Sequence, residues 1–463
     1  MQAAMLLVIG EPAGVEVVLL KAEAALEALS LPGSDLDEST RDLIGKIAAA
    51  RANLAQTQAQ ADTILVQAHR SLEYLHPDNL SERSMAIRAL GFACYIQGEY
   101  AEASRLYTEA LNLASKAGDT INTILASLRV GQIQESENQL YLAMKTYLNV
   151  LPLLDDYSTY NAPVAYLGLA RIFYEWYDLN SAEQYGEKSL QLAQQYDQVI
   201  DRYILSELFL ARLKLARKDV TGSMDKILKA DQISKQKNYS YRIPDIAYNK
   251  ARILLFQGNV NEATRLVQQN DIPLMRARVL ITQGNPIEAM TLVEIQRQQA
   301  ESKGLVGRLL LVKAVQSVVL VTQDEKDNAV QVLTEALAMA EPGGFIRLFL
   351  DEGAMMHQLL LEAASRGIMP DYVARLLAAF DAEKSKVKDK PDPHSHQLLI
   401  DPLSERELEI LKLISDGLSN EEICKKLFLA LDTVKGHNRR IFEKLQVHRR
   451  TEAIAKARDL NLI

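Results

Sequence analysis

Residues 432–445, close to the carboxyl end of the chain, read DTVKGHNRRIFEKL, with Lys435 and Arg439 one helical turn apart and Gly436 beside them. Two long cations at that spacing share a helix face and can address neighbouring acceptors such as guanine O6 and N7. Glycine costs up to about 1 kcal/mol of helix propensity but permits close approach to a base. On a helical wheel Val434, Asn438, Ile441 and Leu445 fall together and form the expected core face, with Lys435, Gly436, Arg439, Arg440 and Glu443 opposite. Within residues 425–450 eight basic residues, including Lys425, Lys426 and Arg440, stand against Asp432 and Glu443. The chemistry indicated is capture of a polyanion, with double-stranded DNA the expected partner.

Those side chains need a frame, and the helix punctuation around them supplies one. Ser404 with Glu407 reads as a capping box opening a helix with apolar Leu408, Leu411 and Ile414, and Gly417 stops it. A second box, Ser419 with Glu422, opens a helix over 421–427. After a short turn at Phe428 to Ala430 comes the basic helix, and residues 451–460 form a fourth. A helix, a tight turn and then a basic helix is the order in which the second helix of a helix-turn-helix enters the major groove.

Residues 402–463 resemble the LuxR-type DNA-binding domain over essentially their whole length. The family's running pattern LTxRExEVL, SNxEIA, TVKxH, KLxV and RTxAV is met by LSERELEIL, SNEEIC, TVKGH, KLQV and RTEAI. The resemblance implies that Lys435 and Arg439 reach base edges with Gly436 at the groove floor, and that Ser419, Asn420, Thr433 and His437 lie near the phosphate backbone. It also implies a contact between two copies through the fourth helix. Ala453, Ile454 and Ala457 are small or apolar enough to make that contact; the other role open to them is closing the domain's own core. Three residues depart from the pattern: Ala430 replaces the usual capping Ser, a loss of about 1 kcal/mol, Asn438 an apolar core residue, and Cys424 an Ala. Together they predict a softer domain.

Charge separates this tail from the body. Residues 402–463 hold 12 Lys and Arg against 10 Asp and Glu, leaving 40 against 50 in the first 401 residues of a chain with net charge -8. With 463 residues, 48% apolar, the chain can bury more than one core or a core that grows by stacking. Cys94 and Cys424 are too few for a disulfide framework or a zinc site, which makes the cytoplasm the expected location. No run of about 18 apolar residues suggests a membrane span.

Residues 85–118 read as a helix hairpin with small residues at Gly91, Ala103 and Ala110 and a turn at Gly98. The ladder recurs at Gly131, Asn138 and Ala143; at Ala170, Tyr177 and Ala182; at Ala251, Gly258 and Ala263; at Ala277, Gly284 and Ala289; and at Ser317, Asp324, Ala329 and Ala336. The small residue after each turn gives the series Ala61, Ala103, Ala143, Ala182, Ser223, Ala263, Ala289 and Ala329, with most steps close to 40. Small residues let the two helices of a hairpin cross closely, while Tyr107 and Tyr147 fill the space between hairpins. The pattern resembles a tetratricopeptide-repeat array over roughly residues 45–340, whose concave face is a binding surface. After Phe380 the stretch DAEKSKVKDKPDPHSHQ reads as a linker, with His394 and His396 in a solvated loop.

A repeat array followed by a LuxR-type domain resembles the MalT-like regulators, and residues 336–380 resemble the end of that group's sensor region. The group's nucleotide-binding motif GxxxxGK[ST] does not occur in this sequence, so the chain is expected to be a fragment or a short form without nucleotide gating. The predicted fold is all-α: a tetratricopeptide-like solenoid of helical hairpins over 1–381, a linker over 382–401 and a four-helix LuxR-type helix-turn-helix domain over 402–463. The expected function is non-enzymatic, sequence-specific transcription regulation, with an effector or partner protein on the array, a homodimer on DNA, no membrane and no cofactor. A repeat scaffold with an accessory tail is the alternative.

Overall fold

Seven hairpin turns of the ladder each hold one residue in the left-handed region: φ is 82° at Gly98, 62° at Asn138, 66° at Tyr177, 64° at Lys218, 75° at Gly258, 77° at Gly284 and 60° at Asp324. The turn at Gly98 shows why. Its N–H donates to the Tyr95 carbonyl at 3.1 Å and that of Glu99 to Cys94 at 2.9 Å, which satisfies carbonyls the helix end would leave bare. Only a left-handed residue bends the chain enough for that pair of bonds.

The computed structural model describes residues 12–29, 37–56, 60–157, 161–196, 202–237, 239–385, 405–427, 431–445, 447 and 449–459. Among them are 24 α-helices and no strand. The hairpin helices are α1 (Pro12–Leu29), α2 (Glu38–Gln56), α3 (Ala61–Tyr74), α4 (Leu80–Gln97), α5 (Tyr100–Ala117), α6 (Thr120–Ser136), α7 (Leu140–Tyr157), α8 (Ala162–Glu175), α9 (Leu179–Tyr196), α10 (Arg202–Ala216), α11 (Val220–Gln236), α12 (Ile243–Phe256), α13 (Val260–Gln269), α14 (Pro273–Thr282), α15 (Pro286–Ser302), α16 (Val306–Thr322) and α17 (Lys326–Ala340). Then come α18 (Arg347–Leu350), α19 (Gly353–Ser365) and α20 (Pro370–Ser385). The carboxyl-terminal unit has α21 (Glu405–Ser415), α22 (Asn420–Leu427), α23 (Leu431–Leu445) and α24 (Arg450–Asp459).

Ala103, Ala143, Ala182, Ser223, Ala263, Ala289 and Ala329 have no exposed surface, as close helix crossing requires, whereas Ala61 is half-buried. Tyr147 is likewise fully buried. A Cβ at Gly131 would stand 2.6 Å from its ring and one at Gly168 closer still, so these two glycines make the slot the tyrosine fills.

The array turns back on itself. Helix α16 packs against α6, and Lys303 Nζ donates to the Gln97 carbonyl at 3.3 Å. One apolar core joins residues 124–213 to residues 310–380. The Ile346 N–H donates to the Glu175 carbonyl at 2.7 Å and Trp176 Nε1 to the Gly343 carbonyl at 2.8 Å, which seats the segment after α17 on α8. Helix α20 continues to Ser385, into the stretch read as linker. Residues 386–404, with His394 and His396, lie outside the described residues.

Candidate nucleic-acid interface and the arginine ladder of the array

Helix α21 ends at Gly417, φ 88°, where the Leu418 N–H donates to the Leu413 carbonyl at 3.2 Å. Helix α22 opens on the expected capping box: the Ser419 N–H donates to Glu422 Oε2 at 2.7 Å and the Glu422 N–H to Ser419 Oγ at 3.3 Å. Ser404 lies outside the described residues; the buried Glu407 carboxylate accepts from Lys444 Nζ at 3.0 Å, tying α21 to the end of α23. The turn Phe428 to Ala430 also lies outside them.

Helix α23 divides as its wheel predicts. Val434, Asn438, Ile441 and Leu445 are buried, while Thr433, Lys435, Gly436, Arg439 and Arg440 are exposed. Nothing stands within 4 Å of a Cβ built on Gly436, so at this point the helix surface is open. His437 is half-buried, with Nδ1 lacking a partner. On α22 Lys426 is exposed and Asn420 half-buried; the side chain of Lys425 is not among the described ones. One face of α23 therefore presents three cations and a glycine to solvent.

Ala453 and Ala457 are fully buried in one core with Ile410, Ile414, Ile423 and Ile441. Both side chains thus pack into the domain's own core, the other role open to them from the sequence. Ile454 is half-buried, and Thr451, Glu452 and Ala455 are exposed.

The array carries a second concentration of charge. Arg171, Arg212, Arg252 and Arg278 lie on the first helix of four successive hairpins. Arg171 pairs with Glu135 at 2.8 Å, and Glu135 also accepts from the Tyr147 hydroxyl at 2.5 Å. Arg212 and Arg252 reach Asp351 Oδ2 at 2.9 and 2.8 Å, Arg347 reaches its Oδ1 at 2.7 Å, and Arg278 Nε donates to Glu352 at 3.1 Å. Burial opposes ionisation of Asp351, yet Arg347, Arg252 and Arg212 hold its carboxyl well below the usual range. Hairpin periodicity alone does not single these arginines out, although a signal exists. Each directly follows the small crossing residue, as Ala170-Arg171, Ala211-Arg212, Ala251-Arg252 and Ala277-Arg278.

Residues 45–366, hairpins and Asp351 alike, match the family described as the MalT-like TPR region. The chain belongs to that family. As a MalT-like chain it carries a second match over residues 401–457, to the bacterial regulatory proteins of the luxR family. It is 24% identical over 482 residues to the HTH-type transcriptional regulator MalT of Vibrio cholerae, covering 96% of this chain and 52% of that protein. To the MalT of Serratia proteamaculans it is 25% identical over 481 residues, with the same coverage. This MalT-like chain thus spans about half the length of the curated relatives it matches. Among solved structures, a Rap protein complexed with competence and sporulation factor has a TM-score of 0.51 at 12% identity, covering 83% of this chain and 97% of that one, a likeness of fold alone. Among the described residues no helix is long and apolar enough to cross a membrane, and no group of three His, Cys, Asp or Glu is placed to hold a metal ion.

Proposed function

We propose that this chain is a sequence-specific DNA-binding transcription regulator, with α23 as its recognition helix and the hairpin array as the receiver of an effector or partner protein. The observation that carries this is the solvent face of α23, where Lys435, Gly436, Arg439 and Arg440 stand opposite the buried Val434, Ile441 and Leu445. Lys435 and Arg439 read base edges and Gly436 lies against the groove floor. Ser419, Asn420, Lys425, Lys426, Thr433, His437 and Arg440 serve the phosphate backbone. The array occupies 1–381, the linker 382–401 and the reader 402–463, and the chain works in the cytoplasm. Two copies bind half-sites about one helical turn apart, since one such domain reads few base pairs.

The test is binding of the full chain to labelled duplex DNA bearing genomic sites recovered with it, compared with Lys435→Ala and Arg439→Ala. Each substitution is expected to weaken specific binding by about 1–3 kcal/mol and to relax base preference. An unchanged base preference in both variants would overturn the orientation of α23.

A further inference from the structure

The ladder position that holds arginine in four later hairpins holds Phe92 on α4 and Gln132 on α6. The cations there have moved within the same face. Arg88 lies one turn before Phe92, and Arg129 lies one turn before Gln132, bonds its Oε1 at 2.9 Å and sets its guanidinium 5.0 Å from the centre of the Phe92 ring. We propose that Arg88 and Arg129 form the site for an anionic group, a carboxylate or a phosphate, on a small-molecule effector. This deepens, and rests on, the proposal that the array is the sensor.

The contrast within one array carries the argument. Arg171, Arg212, Arg252, Arg278 and Arg347 each meet a carboxylate, from Glu135, Glu175, Asp351, Glu352 or Glu383. Among the described residues Arg88 and Arg129 have none within 4.0 Å. Arg88 is only 8% exposed, its Nη atoms reach the amide oxygens of Asn53 at 2.8 Å and Gln56 at 3.5 Å, and its Nε has no partner. A buried guanidinium bonded only to neutral oxygens keeps its desolvation cost without the attraction that offsets it. Burial, and then Arg129, bring its pKa down to about 10.

The surroundings suit an anion with an apolar or planar body. The Tyr107 hydroxyl, on a side chain 1% exposed, is a further buried donor without a partner, and both Arg129 and Arg88 act on it electrostatically. Beside it Tyr95 and Tyr100 stack at 5.1 Å and 14°. Asp351 and Glu352 belong to the segment that packs on the later hairpins; among the described residues no carboxylate pairs with Arg88 or Arg129 within 4.0 Å, and Asp119 acts on Arg88 only electrostatically. With Arg88 8% and Tyr107 1% exposed, the groups of this site suit a single small headgroup rather than a protein surface or a duplex.

The experiment is thermal unfolding of the full chain with inorganic phosphate and, separately, with succinate, each against sodium chloride at matched ionic strength. A saturable rise in melting temperature with either oxyanion is expected, phosphate alone assigning a phosphorylated effector and succinate alone a carboxylate. Arg88→Gln and Arg129→Gln should each weaken the midpoint at least tenfold, and Arg88→Met should raise the melting temperature of the ligand-free chain. The double variant Lys435→Ala, Arg439→Ala should keep the rise, which separates this site from the basic face of α23. No rise beyond sodium chloride would overturn the proposal. So would a rise that survives both arginine variants, or one lost only with the α23 face; a DNA-binding result on Lys435 and Arg439 stands or falls independently.

Discussion

The side-chain amide of Asn438 donates to Oδ1 of Asn420 at 2.9 Å, so the helix assigned to the major groove is tied to the helix before it through a half-buried polar contact. Asn438 is 9% exposed, and its own Oδ1 has no partner. Replacement by Leu would remove that orphan and extend the apolar row of Val434, Ile441 and Leu445, while the half-buried Asn420 can turn to water. Asn438→Leu is expected to stabilise the domain by about 1–2 kcal/mol, read as slower amide exchange along α23 in the full chain. Faster exchange would show that the bond to Asn420 outweighs the unpaired oxygen.

Lys426 is exposed on α22 and is assigned to phosphate. Lys426→Ala should lower affinity evenly across DNA sequences and flatten the dependence of log affinity on log salt by about one unit. Equilibrium binding at several salt concentrations checks this, and altered base preference would contradict it.

Ala457 has no exposed surface. Ala457→Glu places a charge in the small core without a partner, at a cost on the order of 3–5 kcal/mol. Binding to one half-site and to a two-half-site duplex should therefore be lost together, with loss of helical signal from the domain. Retained single-site binding would return Ala457 to the surface between copies.

Asp351 pairs with Arg212, Arg252 and Arg347 at once. Asp351→Asn keeps the shape and removes the charge, so the array should lose roughly 3–5 kcal/mol at pH 7, measured by urea unfolding. A carboxyl whose folded pKa is depressed contributes stability that is fully present above its unfolded value and is lost as pH falls through the folded one. The gap between wild type and variant should thus stay level from pH 7 to about 5 and narrow only below about 4. A gap that already closes near neutral pH would refute the charge account.

Gly284 and Asp324 occupy the same left-handed turn position, at φ 77° and 60°. No atom lies within 4 Å of a Cβ at Gly284, so Gly284→Ala tests backbone strain alone and should cost about 1–2 kcal/mol. Asp324→Gly, at an exposed site, should be neutral or stabilise by up to about 1 kcal/mol. Chemical unfolding of both variants settles the pair, and equal effects would contradict it.

The turn residues show what was legible in the sequence. Gly98, Asn138, Tyr177, Gly258, Gly284 and Asp324 stand at fixed offsets from small residues because hairpin geometry is local: one residue must bend and one must be small where helices cross. The same locality made α23 readable, since a periodicity of 3.6 separates Val434 and Ile441 from Lys435 and Arg439 whatever packs behind them. Lys218 extends the lesson, for it takes φ 64° at its place in the series although nothing in its residue type announces a turn.

Tertiary structure alone decided two things. Whether the small residues of α24 face outward or inward depends on where α21 and α23 lie, and those helices bury Ala453 and Ala457. The return of the array on itself is the other, because the superhelix closes through small rotations summed over many hairpins. That sum brings Asp351 from more than 130 residues away onto Arg212. Among the described residues it leaves Arg88 and Arg129 without a carboxylate at ion-pair distance, because charge pairing at this range follows the path of the whole chain and not the local pattern that sets each helix.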